Sequence, residues 1–216
     1  GTTTTSAGGT WTYDHTSVTL AGGTYAITAK ATDVAGNTGS TSSSLSIEID
    51  VTAPSKPVIS SITDDKGISN SDGITNDQTL VFAGTAEALS IVEVFRDGVS
   101  VGTTTTNAVG NWTFDYTGTT LSTGTYTFTA TAKDAAGNTS STSDDIDVEI
   151  DITAPSAPSV ASISDDKGLS TTDGKTNDNS LIFTGTAEAN STVEVFLRGT
   201  SLGTTTASGT GAWTYD

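Results

Sequence analysis

The chain has 216 residues and a formal charge of −17, from 25 Asp and Glu against 8 Lys and Arg. That balance excludes a binder of phosphate backbones, which needs a basic face, and disfavours adhesion to an anionic membrane surface. With no cysteine and one histidine, His15, a disulfide framework, a thiolate zinc site, a cysteine nucleophile and a multi-histidine centre are excluded as well. No apolar run approaches the ~20 residues of a membrane helix, and no segment reads as a signal peptide. The surplus of Thr, Ser, Gly and Asp suits strands and turns rather than helices.

An internal repeat organises the chain. Trp11, Trp112 and Trp213 share one spacing, and the same offset carries Asp50-Val51-Thr52-Ala53-Pro54 onto Asp151-Ile152-Thr153-Ala154-Pro155. It also carries Asp33-Val34-Ala35-Gly36-Asn37 onto Asp134-Ala135-Ala136-Gly137-Asn138. Residues 54–115 align with 155–216 without a gap, and 37 of those 62 pairs are identical, so the repeat unit is a whole domain and not a solenoid turn. The sequence predicts residues 1–53 as the C-terminal half of a repeat, 54–154 as a complete repeat and 155–216 as the N-terminal half of the next. A neighbouring copy is expected to complete the two halves.

Within 54–154 the predicted strands run in chain order. Pro57 to Ile62 comes first, then Thr79 to Thr85, then Ile91 to Arg96. Asp97-Gly98 is a type I′ hairpin signal, and Val99 to Thr105 returns from it. Asn111 to Tyr116 carries Trp112. Thr125 to Lys133 alternates Tyr126, Phe128, Ala130 and Ala132 with threonines. Ile146, Val148 and Ile150 alternate with Asp147, Glu149 and Asp151 in the last strand, whose Asp145, Asp147 and Glu149 read as the solvated face of an edge strand. Period two throughout predicts antiparallel sheets with one wet face. Seven short strands in about 100 residues predict an all-β, immunoglobulin-like sandwich, repeated in tandem. Trp112, Tyr126, Phe82 and Phe95 are expected in its core, and Tyr126 stands where a tyrosine corner would.

The acidic positions carry the visible chemistry. Residues 64–77 hold Asp64, Asp65, Asp72, Asn76 and Asp77 around two glycines, and the next repeat keeps Asp165, Asp166, Asp173, Asn177 and Asp178. A hard cation wants six to eight oxygens, and glycines let a loop fold so that they converge. The spacing is not that of an EF-hand, and a polar loop of Asx-turns would use the same residues. Immunoglobulin topology is expected to bring a second set together at the junction between repeats: Asp50, Glu87 and Asp134, with Asp151 and Glu188 as the matching set one repeat on. Asp33 occupies the place of Asp134 in the preceding repeat. Ca2+ is the cation both sets predict.

The Asp-x-Thr-Ala-Pro junction, Thr85-Ala86-Glu87-Ala88, the Trp in a Gly-x-Trp-Thr setting and Asp-x-Ala-Gly-Asn together resemble the bacterial immunoglobulin-like repeats of giant adhesins. Those adhesins are exported by type I secretion and are often of the RTX class, as in biofilm-associated and ice-binding adhesins. The resemblance covers the whole chain. It implies calcium-bound, extracellular modules displayed on a bacterial cell surface, packed against neighbouring repeats of the same chain. A non-enzymatic spacer is the expected function. The alternative is that the repeats themselves bind a glycan or ice, which Thr2 to Thr5 and Thr103 to Thr106 suggest, although the matching run Thr204 to Thr206 breaks at Ala207. No nucleophile–base pair or phosphate loop points to an enzyme.

Overall fold

A computed structural model describes residues 1–63, 65–67, 69–163 and 173–216. These are strands, turns and extended segments, in two compact units, Gly1–Ile152 and Thr153–Asp216. The first unit opens with a two-stranded antiparallel sheet, β1 (Gly23–Ile27) with β2 (Leu45–Ile49). The repeat that follows contains β3 (Val58–Thr63), β4 (Ile74–Thr75), β5 (Val81–Thr85), β6 (Ile91–Arg96), β7 (Val99–Thr105), β8 (Asn111–Asp115), β9 (Gly124–Lys133) and β10 (Ile146–Ile150). One layer is the sheet β3-β5-β8, the other is β4-β10-β9-β6-β7. The seven expected strands all form. The eighth, β4, was not expected: two residues at the end of the acidic loop pair in parallel with the end of β10.

The core lies between the layers. Phe82 of β5 and Phe128 of β9 are wholly buried with ring centroids 4.4 Å apart, and Leu80, Val92, Val94, Val148 and Ile150 surround them. Trp112 is buried against the bare backbone of Gly84, where any Cβ would collide with the indole and with the carbonyl of Val58. Asp97 (φ 52°) and Gly98 (φ 78°) both take the left-handed conformation that a type I′ turn requires. The Tyr126 hydroxyl donates to the Ser122 carbonyl at 3.1 Å, forming the expected tyrosine corner.

Two expectations are corrected. Phe95 is only half-buried and does not join the core. Alternation along β6 turns Val92 and Val94 inward, so Phe95 falls on the outer face with Ile91 and Glu93. Arg96 takes the next inward position, lying over the rings of Tyr116 and Tyr126 and donating to the Tyr116 hydroxyl at 2.8 Å. The last strand is not an edge along its whole length either, because β4 covers it at Glu149 and Ile150. Asp147 is also less free than a solvated face implies, since it accepts from the Thr127 hydroxyl at 2.7 Å.

The second unit builds the sheet β11 (Ser159–Ile163), β12 (Phe183–Thr186), β15 (Ala212–Tyr215) and the hairpin β13 (Thr192–Leu197), β14 (Thr200–Thr206). Its core is Val193, Val195, Ala207 and Trp213. Trp213 lies on Gly185 as Trp112 lies on Gly84, and Arg198 (φ 52°) with Gly199 (φ 82°) reproduces the tight turn. Phe183, the equivalent of Phe82, is only half-buried here.

Candidate cation loop and repeat junction

The acidic loop joins β3 to β5 and is held by short polar contacts of its own. Asp77 caps the turn into β5: its Oδ1 accepts from the Thr79 amide at 2.9 Å and from the Thr79 hydroxyl at 2.8 Å. Its Oδ2 faces the Lys66 ammonium at 3.3 Å. These contacts hold its carboxyl below the ordinary carboxylate range, with the Thr79 amide as the largest cause. Buried Thr75 accepts through Oγ1 from the amides of Lys66 and Asp77, both at 3.0 Å. Asp72 accepts from the Ile74 amide at 3.1 Å. Asn76 has its side chain exposed and donates its amide to the Lys66 carbonyl at 3.2 Å.

Asp65 differs from its neighbours. It is only 9% exposed, and its Oδ2 accepts from the Gly73 amide at 3.1 Å. Its Oδ1 is buried and has no hydrogen-bond partner among the described residues. Almost every buried polar atom in a folded protein has a partner, and a carboxylate oxygen without one is costly.

In the second unit Asp178 repeats the cap, accepting from the Ser180 amide at 2.9 Å and hydroxyl at 2.8 Å. Asp173 accepts from the Lys175 amide at 3.1 Å, and Asn177 is exposed. Asp64, Asp165 and Asp166 lie outside the described residues.

At the repeat junction, two of the three expected acids meet through an asparagine. Asp134 Oδ1 accepts from the amides of Gly137 at 2.7 Å and Asn138 at 2.8 Å. Its Oδ2 accepts from Asn138 Nδ2 at 2.8 Å, and the same Nδ2 donates to the backbone carbonyl of Asp50 at 3.1 Å. The carboxylate of Asp50 caps its own turn, accepting from the Thr52 amide at 2.9 Å. Glu87 contributes its backbone carbonyl to the hydroxyls of Ser90 and Thr106, at 2.7 and 2.6 Å, and leaves its side chain exposed. Glu188 does the same toward Ser191 in the second unit, at 2.7 Å. Asp151 ends its strand by donating its amide to the Thr75 carbonyl at 2.9 Å. Asp33 binds the amides of Ala35 and Asn37 and the Asn37 side chain, as Asp134 binds its own turn.

Among the described residues, no three acidic or histidine side chains stand close enough together to hold a metal ion. The turn amides engage most of the carboxylates first. The side chains that sequence reasoning missed are therefore hydrogen-bond partners. Asn138 bridges the two sides of the junction, and its position after the glycine of Asp-x-x-Gly-Asn was the available signal. Lys56 reaches Asp144 at 2.6 Å across a large sequence separation, with no local pattern to announce it.

The model of a bacterial Ig-like domain matches the chain over residues 1–51, 52–152 and 153–216. No curated protein sequence matches it. Among solved structures, a biofilm-associated protein BSP domain is 29% identical over 63% of this chain and 20% of its own, with a TM-score of 0.33. A tetra-tandem repeat in the extending region of a large adhesion protein is 23% identical over 91% of this chain and 48% of its own, with a TM-score of 0.39. A 1.5-MDa bacterial ice-binding adhesin is 21% identical over 86% of this chain and 60% of its own, with a TM-score of 0.34. The chain thus spans less than two thirds of each of these structures. With the family model covering all three segments, and an all-β sandwich between Val58 and Ile150, the chain belongs to the bacterial Ig-like domain family.

Proposed function

We propose that the chain is a calcium-stiffened extension segment of a large bacterial surface adhesin, displayed outside the cell and holding a distal ligand-binding region away from it. It works by length and stiffness and catalyses nothing. Similar domains in series suit a spacer, which needs repetition and no unique site. A strand of about eight residues spans about 26 Å, so each domain adds a few nanometres of reach. Neighbouring repeats, or a second copy of the chain, cover the apolar face of the β1–β2 hairpin, where Ile27 and Leu45 stand exposed.

The observation that supports the calcium part is the buried Oδ1 of Asp65 in an acidic loop, which has no hydrogen-bond partner among the described residues. Glycan or ice binding by the repeats themselves is the weaker reading. Trp112 and Trp213 are buried on glycines and offer no open indole face. A twisted sandwich also lacks an extended flat threonine array.

Thermal melting of the chain in calcium, in magnesium and in excess chelator tests the proposal. A site occupied only in the folded state stabilises by about 2.7 kcal/mol at a ligand concentration a hundredfold above Kd. The melting temperature is expected to rise in calcium and to rise less in magnesium, which demands stricter octahedral geometry. A melt that chelator leaves unchanged ends the calcium reading.

A further inference from the structure

The complete repeat shows what the β1–β2 hairpin is shaped to meet. β6 pairs antiparallel with β9, from Ile91 opposite Lys133 to Arg96 opposite Phe128. One repeat on, β13 stands in the place of β6. It pairs with β14 in the register of β6 with β7, with the same irregularity between its fourth and fifth residues. Among the described residues, no strand lies on the other edge of β13. An edge of this kind is a template for another strand. The core records the same gap: Phe82 is wholly buried against Phe128, whereas Phe183, in the place of Phe82, is half-buried.

The arm that follows β1 is already bonded as the matching arm of β9 is. Ser42 donates its amide to the Ala29 carbonyl at 2.9 Å, and its hydroxyl accepts the Ala29 amide at 3.1 Å. Ser143 does the same with Ala130, at 2.8 and 2.9 Å. Gly39 donates to the Ala31 carbonyl at 2.9 Å, as Ser140 does to that of Ala132 at 2.8 Å. By alternation the amides and carbonyls of Thr28 and Lys30 point to the opposite edge. Yet Ala130 and Ala132 are wholly buried, while Ala29 is half-buried and Ala31 exposed. Charge fits as well. Where Thr131 faces Glu93 in the complete repeat, the matching positions hold Lys30 and Glu194, both exposed. Opposite charges directly across an antiparallel pair attract, and in a chain of charge −17 that attraction works against the mutual repulsion of copies. The place of the tryptophan is filled already: Trp213 lies buried on Gly185, while Trp11 is 52% exposed.

We infer that the β1–β2 hairpin of one copy adds to β13 of a second copy. Ile27 comes opposite Leu197, Lys30 opposite Glu194 and Thr32 opposite Thr192. Ile27 then covers Phe183, Ala29 and Ala31 come opposite Val195 and Val193, and the Trp11 segment stays outside. Each copy has one hairpin to give and one edge to fill, so the contact is heterologous and repeats head to tail. It calls for no cation. It deepens the spacer reading above, since a chain that works by length is lengthened by its own copies without a covalent link.

Sedimentation velocity of the whole chain across a concentration series, in calcium, tests it. Species that lengthen as the concentration rises are expected. Lys30→Glu sets a like charge opposite Glu194 and is expected to weaken association about threefold or more. Lys30→Glu and Glu194→Lys together in one chain are expected to restore it. Both side chains are exposed, so neither change disturbs a core. The chain has no cysteine, so Lys30→Cys and Glu194→Cys, made in separate chains and mixed, report the contact through a short bis-maleimide crosslinker. A crosslinked dimer is expected from that mixture, and none from Lys30→Cys mixed with Glu93→Cys, because β9 already fills that edge of β6. A monomer at every concentration overturns the exchange and leaves the calcium melt and its reading unaffected. Association that Lys30→Glu leaves unchanged, or crosslinking as strong to position 93 as to position 194, overturns β13 as the receiving edge.

Discussion

The β1–β2 hairpin and the β9–β10 hairpin are one sequence pattern in two settings. Their registers are the same: Gly23 opposite Ile49, Tyr25 opposite Ile47 and Ile27 opposite Leu45 match Gly124 with Ile150, Tyr126 with Val148 and Phe128 with Ile146. Both tyrosines make the corner, Tyr25 to the Ala21 carbonyl at 2.9 Å and Tyr126 to Ser122 at 3.1 Å. Yet Ile27 is 47% exposed where Phe128 is wholly buried. The strands also differ in length. β9 runs ten residues because β6 pairs with it from Phe128 to Lys133, while β1 stops at Ile27, where its one partner among the described residues begins. Turn, corner and register are thus written within the hairpin itself, whereas burial and full strand length are supplied by other strands.

Truncating the two equivalent side chains tests this comparison with the largest expected effect. Phe128→Ala opens a cavity in the core and is expected to cost about 3–5 kcal/mol in urea denaturation. In the monomeric chain, Ile27→Ala removes an exposed group and is expected to cost under about 1 kcal/mol. An equal cost at both positions would mean that another copy or repeat covers the hairpin in solution. Sedimentation across a concentration series gives the same information directly: self-association weakened by Leu45→Asp is the expected outcome if copies complete one another. A monomer at every concentration would confine the covering role to repeats of the same chain.

The same distinction explains what was legible in the sequence. Seven strands, the Asp97-Gly98 turn and the Tyr126 corner follow from period two and from local turn chemistry, and all of them form. Phe95 lies outside the core because parity along β6, set by the inward Val92 and Val94, outweighs its aromatic character. β4 could not be foreseen: two residues carry no periodicity, and their pairing with β10 depends on a strand far along the chain. The acids were visible as a cluster, but not which of them their own turns engage. Asp77 is occupied by Thr79 two residues on, a local contact, while the burial of Asp65 depends on how the whole loop lies against the sheet.

A smaller effect is expected at the two corners. Tyr126→Phe removes one hydrogen bond to a backbone carbonyl, worth about 0.5–1.5 kcal/mol. Tyr25→Phe removes the same bond in the uncovered hairpin, and a global melt is expected to move less there than at Tyr126. The local result is expected to be equal, with loss of exchange protection around Ala21 and around Ser122 to the same degree. A corner that matters only at Tyr126 would show that the hairpin needs its cover even to close its own turn.

The smallest contrast is expected between Asp33 and Asp134, and near-identity is the informative outcome. Each accepts from an asparagine side chain four residues on, Asn37 and Asn138, and that bond is the largest cause holding each carboxyl below the ordinary value of 3.8. Backbone amides of the same turns add to it. A carboxyl lowered in the folded state stabilises the fold above its unfolded value, and that contribution disappears as the pH falls through the lowered one. Both turns are therefore expected to hold at neutral pH and to loosen only on acidification below 3.8. Carboxyl carbon shifts followed by NMR during an acid titration check this, with both midpoints expected below that value. Asn37→Ala and Asn138→Ala are expected to raise the midpoint of their own aspartate alone. They differ in one further respect, because Asn138 also holds the Asp50 carbonyl at 3.1 Å. Its loss, and not that of Asn37, is expected to speed exchange around residues 50–54. If Asp134 shifts and Asp33 titrates as a free carboxylate, the turn takes its shape from the covered domain and not from its five residues.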